Sequence, residues 1–204
     1  MDLEIEEAVK HCDTCQTHSK MPSSAPLHPW EWPNRPWSRL HLDYAGPFMG
    51  KMFLVVVDAH SKWLDVYPMN TCTSTTTIEK LRQSFAVHGL PETVVTDNGT
   101  CFTSDEFSVF MRHNDIKHIK SAPYHPSISG LAERAVQTLK QGLKKLKQSS
   151  VETRVSRFLS SCRTIPQSTT GLSPSEMLSN RKLMTRFDLV QPCVEKQAVQ
   201  KQLQ

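Results

Sequence analysis

Apolar and polar residues alternate, or gather into short apolar blocks, in three runs early in the chain. RLHLDYA, MFLVVVD and WLDVYP read as strands near 39–45, 52–58 and 63–68, because β-branched and aromatic residues fall on every second place or fill the run. GPFMGK offers a hairpin turn between the first two. The period then changes. Ile78, Leu81 and Phe85 recur at helical spacing and predict a helix near 74–88, with Gly89 as its C-terminal cap and Pro91 beyond. A short strand follows near 93–96, and Ser104 caps a helix near 104–114. A strand near 116–119 leads into SAPYHPSISG, whose two prolines and glycine read as a loop. The longest helical pattern covers about 129–148. Leu131, Ala135, Val136, Leu139, Leu143 and Leu146 form its apolar stripe, while Glu133, Gln137, Lys140, Lys144 and Lys147 take the other face. A further helix is expected near 152–165. Three antiparallel strands followed by helix–strand–helix–strand and more helices is an α/β pattern.

The flanks read differently. Residues 1–20 form a short helical entry carrying CDTC, and 21–37 are a linker in which Pro22, Pro26, Pro29, Pro33 and Pro36 forbid a continuous helix. Trp30, Trp32 and Trp37 are expected to dock that linker on the core spanning 38–150. A helical extension over 151–192 and a polar tail over 193–204 complete the division.

Composition narrows the function classes. Hydrophobic content of 38% and charged content of 22% describe a folded domain, and a net charge of +4 is compatible with a nucleic-acid partner without being diagnostic. The distribution of charge says more, since Lys140, Lys144, Lys145 and Lys147 cluster on one helix. The acidic opening MDLEIEEAVK does not read as a secretory signal, and the longest apolar run, Phe53–Val57, is far too short to span a membrane. The six cysteines show no framework apart from Cys12 and Cys15, so they are read as reduced thiols of an intracellular protein.

Three carboxylates carry the candidate chemistry. Asp43 ends an alternating strand, and Asp97 stands where a β-branched run meets Asn-Gly. Glu133 lies on the long helix, with 35 residues between it and Asp97. Two strand-end aspartates and one helix glutamate can converge on hard divalent cations, which take oxygen ligands and bridge to phosphate.

HLDYAGPF, VTDNGTCF and APYHPSISGLAER, in this order and spacing, resemble the catalytic core of retroviral and gypsy-type retrotransposon integrases. CDTCQ resembles the end of that family's amino-terminal zinc module, HPWEWPNRPW the linker of metazoan gypsy-type elements, DAHSKW a family strand pair, and TTGLSPSEMLSNRKLMTRFDL the segment after the core. The resemblance implies a ribonuclease-H-like fold: a mixed five-stranded sheet flanked by helices, with a Pro-rich N-terminal linker and a helical C-terminal extension. It implies 3′-end processing of element DNA and joining of those ends to target DNA. Asp43, Asp97 and Glu133 would hold two Mg²⁺ (or Mn²⁺) ions roughly 3.5–4 Å apart. Tyr124, Ser129, Gly130, Lys140 and Lys144 would meet DNA, with Gly130 giving the loop backbone freedom. The family also implies a homo-oligomer, nuclear action and no membrane partner.

The chain departs from the family at several places. Ile128 and Ser129 replace two polar loop positions, and Cys162, Ile165 and Gln167 stand where relatives often have Tyr, Thr and His. Cys12 and Cys15 supply two of the four ligands a structural zinc needs, and neither His11 nor His18 sits at a family histidine position, so Zn²⁺ is not expected here. Residues 1–20 then read as a remnant of the zinc module. Two alternatives stay open: a catalytically retired, host-adopted DNA- or chromatin-binding protein of the same fold, and a simple metal-dependent nuclease.

Overall fold

The structure, a computed structural model, describes residue 7 and residues 11–12, 30–121, 126–146 and 149–190, with the backbone alone for 126–129. The strands are β1 (Arg39–Phe48), β2 (Lys51–Asp58), β3 (Leu64–Met69), β4 (Thr93–Thr96) and β5 (Lys117–Lys120). The helices are α1 (Ser74–His88), α2 (Thr100–Thr103), α3 (Asp105–His113), α4 (Pro126–Lys145), α5 (Val151–Thr164), α6 (Pro174–Ser179) and α7 (Arg186–Val190). One mixed sheet runs in the order β3–β2–β1–β4–β5, antiparallel from β3 to β1 and parallel from β1 to β5.

Side-chain alternation along the strands assigns each residue to a layer. Leu40, Leu42, Leu54 and Val56 pack with Ile78, Leu81, Phe85, Phe107 and Met111 of α1 and α3. Ala45, Phe53, Val55 and Val57 pack on the opposite face with Val136, Leu139, Leu143, Val155 and Phe158 of α4 and α5. Asp43 has the parity of Ala45, so β1 presents it on the α4 face.

Local chemistry sets the boundaries. Thr73 and Thr76 form a reciprocal capping box at α1, and Gly89 closes that helix at φ 88° with its N–H bonded to Phe85 O. Ser104 caps α3 by accepting from Phe107 N. The hairpin turns at Met49 and Gly50, both at positive φ, so β1 runs through Gly46 and Pro47 instead of stopping at 45. The SAPYHPSISG loop is shorter than expected. Pro126 is the first helical residue, which suits an N–H-less residue with fixed φ, and Gly130 therefore lies inside α4 instead of in a loop. Residues 122–125 lie outside the described set, as do Lys147 and nearly all of 1–29. The short helices α2, α6 and α7 have no counterpart in the periodicity, being too brief to show one.

The linker tryptophans dock as expected. Trp37 is buried and its Nε1–H donates to Gly89 O, while Trp30 and Trp32 meet His41 and His60 edge-on. The C-terminal extension is tied to the sheet by Arg163, which reaches Leu64 O at 3.0 Å and Asp65 at 2.5 Å. Burial pushes the Asp65 carboxyl up, yet His88, Arg163 and Trp63 outweigh it and hold the group below its ordinary value.

Candidate active site

Register brings the two aspartates together. On the parallel pair β1–β4, Arg39 lies opposite Thr93 and His41 opposite Val95; Asp43 and Asp97 each follow two residues beyond that last pair, Asp97 just past the end of β4, and the charge of Asp97 acts on Asp43. Neighbouring strands run about 4.8 Å apart, and Asp43 has the parity that faces α4. Glu133 comes from the exposed side of α4 two turns before Lys140, over the same end of the sheet.

Each aspartate is held by a backbone N–H. Asp43 Oδ1 accepts from Tyr44 N at 2.6 Å, and Asp97 Oδ1 accepts from Gly99 N at 3.0 Å. A Cβ on Gly99 would stand 3.0 Å from that same oxygen, so the glycine leaves room for the turned-back carboxylate. Asn98 Nδ2 donates to Ser121 O at 2.9 Å and ties this turn to the end of β5. Beneath β1, Tyr44 stacks on Phe102 and its hydroxyl hydrogen-bonds Thr77.

The electrostatics show Asp97 and Glu133 acting on Asp43. Burial pushes the Asp43 carboxyl up to about 6; the Tyr44 N–H opposes this, Asp97 and Glu133 add to it, and Lys140 opposes it. Among the described residues, no three His, Cys, Asp or Glu side chains close tightly enough on one point to grip an ion. The donor set nonetheless fits a hard divalent cation: three carboxylates, one made reluctant to ionise by burial and by the other two, with backbone N–H bonds fixing Asp43, which lies within β1 and not at its end, and Asp97, just past the end of β4.

Residues 33–126 match the family model described as the integrase core domain. The chain carries an integrase core domain. That match includes Asp43 and Asp97 and stops short of Glu133. An uncharacterised protein of Caenorhabditis elegans, K02A2.6, is 43% identical over 195 residues, covering 94% of this chain. The Pro-Pol polyprotein of feline foamy virus is 31% identical over 152 residues, covering 72% of this chain. The chain spans only 15% and 13% of the length of these relatives. Among solved structures, the HTLV-2 integrase catalytic core domain in complex with magnesium superposes with a TM-score of 0.62 at 23% identity, covering 71% of this chain and 97% of that one. The fold of this integrase core is therefore ribonuclease-H-like.

Of the other anticipated site residues, Gly130 lies within α4, and Lys140 and Lys144 are exposed on it. Tyr124, Cys15 and the Ser129 side chain lie outside the described residues, and Cys12 is half-buried. Sequence reasoning overlooked Arg39, Lys62 and Arg134, which the fold gathers beside Trp30 and Trp32. Each lies in a segment singled out for another reason, Arg39 in RLHLDYA, Lys62 in DAHSKW and Arg134 in GLAER, but no sequence spacing links residues from three elements; the tryptophans were the available signal.

Proposed function

We propose that this integrase core performs phosphoryl transfer on DNA, cutting and joining 3′ ends through Asp43, Asp97 and Glu133. The observation carrying the reading is the parallel β1–β4 pairing that leads into the two aspartates, together with the pull of Asp97 and Glu133 on the Asp43 carboxyl. Two magnesium or manganese ions on these carboxylates would activate the attacking hydroxyl and stabilise the departing oxygen. The chain's own part is positioning. The Tyr44 and Gly99 N–H bonds orient the two aspartates, Asn98 braces the turn, and α4 brings Glu133 from a separate element so that binding can draw the set together. Lys140 and Lys144 supply positive charge for the phosphate backbone.

The magnesium complex of the HTLV-2 core, recorded in a trimeric form, supports both the metal and a homo-oligomeric assembly for this chain. A DNA substrate implies action in the nucleus. A second reading, a DNA-binding protein that no longer turns over, is favoured by the spacing of the carboxylates, which do not close on one point among the described residues. Divalent-cation-dependent strand joining and its reversal on a branched DNA substrate test the choice. Activity in the wild type that is lost in Glu133→Gln is the expected result. DNA binding without joining, in a folded protein stabilised by Mn²⁺, would establish the second reading instead.

A further inference from the structure

Beside the carboxylates lies a cavity of ≈ 350 Å³ that no step above uses. Its walls come from three places: Trp30 and Trp32 of the linker, Arg39 of β1 with Lys62 of the β2–β3 turn, and Gly130, Leu131 and Arg134 of α4. His41 also lines it, two residues before Asp43 on the same face of β1, and Arg134 directly follows Glu133. The cavity therefore adjoins the site along both β1 and α4. A second hollow of ≈ 450 Å³ shares Trp32, Lys62, Leu131 and Arg134 with the first, which forms a trough bordered by that corner.

The trough is built from cations set against aromatic rings. The Arg39 guanidinium lies 4.5 Å from the Trp30 ring centroid, and Lys62 Nζ lies 4.1 Å from that of Trp32. Arg39 donates from Nη2 to Glu31 O at 2.8 Å, while its buried Nε has no hydrogen-bond partner. Lys62 donates to Ala59 O at 2.6 Å and sits at φ 62°, a left-handed conformation that costs energy for a residue with a side chain. Burial pushes its ammonium below the ordinary value; Asp58 opposes that, and Arg39 and Arg134 add to it. Two acids face the group. Asp58 is buried and spends its oxygens on His60 N, Ser61 N and Ser61 Oγ, and Glu31 is exposed on the rim. Three cations thus converge on one hollow against two acids, Asp58 acting on Arg39 and Lys62 and Glu31 acting on Arg39, and the excess of positive charge favours an anion. Trp32 remains 46% exposed, unusual for a ring that serves only as a clamp.

We propose that this trough receives one unpaired nucleotide of the DNA substrate, its phosphate on Lys62 and Arg134 and its base against Trp32. The inference rests on the DNA reading above. Sequence-tolerant single-strand binding combines such a positive groove with aromatic stacking, since every base offers a π-face. A hollow of ≈ 350 Å³ is of small-ligand size and takes a single nucleotide, not a duplex.

The test is quenching of tryptophan fluorescence by a short oligothymidylate, compared with a duplex of equal length and with inorganic phosphate. Wild type should quench with the single strand, more weakly with the duplex, and not with millimolar phosphate. Trp32→Ala and Arg134→Glu, both at exposed positions, should each weaken binding at least tenfold without lowering Tm. Glu133→Gln should quench like wild type while failing to join DNA, which separates this inference from the catalytic reading. Unchanged binding in both trough variants would show that the tryptophans only dock the linker, and the inference would fall. Equal affinity for duplex and single strand would overturn the unpaired nucleotide, and displacement by phosphate alone would reduce the site to an anion hole.

Discussion

At the scale of single residues, Asp43 is where structure and chemistry pull against each other. Its folded carboxyl titrates at about 6, against about 3.9 for an unfolded aspartate. Between those values the unfolded chain binds fewer protons than the folded one. Stability therefore falls as pH rises through that window, and the deficit persists above it. An asparagine in place of the acid keeps an oxygen to accept the Tyr44 N–H and never ionises. Asp43→Asn should accordingly raise Tm at pH 7–8 without divalent cations, and the advantage should shrink to nothing below about pH 4. Mg²⁺ or Mn²⁺ should close the gap from the other side by stabilising wild type alone. Thermal melts across pH decide it: a variant less stable than wild type at pH 8 in chelator would mean that Asp43 is satisfied by something other than a cation. Gly99 makes the same point sterically, since its missing side chain is what lets the Asp97 carboxylate fold back onto the turn.

At the scale of elements, the site depends on how closely α4 lies to the sheet and to α5. Gly142 marks the closest approach: a Cβ there would come within 2.3 Å of the Phe158 ring, which is itself buried in the α4–α5 core. Alanine gains about 1 kcal/mol of helix propensity. Overpacking a buried ring costs about 1–3 kcal/mol. At so short a contact the cost should win, and Gly142→Ala should lower the denaturant midpoint by an amount equivalent to roughly 1–2 kcal/mol with m unchanged. A stabilised variant would show that Phe158 can withdraw without cost. The same elements explain which features were legible in the sequence. The limits of α1, β4, α3 and α5 follow from caps and periodicity that act locally, through Thr73, Gly89, Ser104 and the Val151–Leu159 stripe. The start of α4 was misplaced because Pro126 and Gly130, residues that usually mark loops, are tolerated in its first turns. The two aspartates were legible through their local contexts, although β1 runs on to Phe48 and leaves Asp43 mid-strand, so only Asp97 follows a strand end. The β1–β4 pairing beside them was not, since it depends on a crossover through β2, β3 and α1. The Arg39–Lys62–Arg134 corner was hidden for the same reason.

At the scale of the whole molecule, a net charge of only +4 makes the placement of charge more important than its amount. Under the proposed function Lys140 would have two distinct electrostatic tasks. It stands on the exposed face of α4 with Lys144, where a DNA backbone would release counterions, and it also opposes the upward pull on Asp43. Lys140→Glu should therefore do two measurable things. DNA affinity should weaken, and the slope of log K against log salt should flatten by about one phosphate contact, close to 0.9 for duplex. The Asp43 carboxyl should also rise further, moving the acid limb of any cation-dependent stabilisation to higher pH. Lys144→Glu separates the tasks, because Lys140, and not Lys144, is among the largest influences on Asp43: it should flatten the salt slope and move the pH limb less than Lys140→Glu does. An unchanged slope in both variants would remove α4 from the DNA face and leave the trough beside Trp32 as the stronger candidate for holding the strand. A pH shift without a change in slope would confine Lys140 to tuning the carboxylates. Because the two readouts have different physical origins, released counterions in one case and a local field in the other, they need not move together, and their separation would distinguish a phosphate contact at Lys140 from its action on the Asp43 carboxyl.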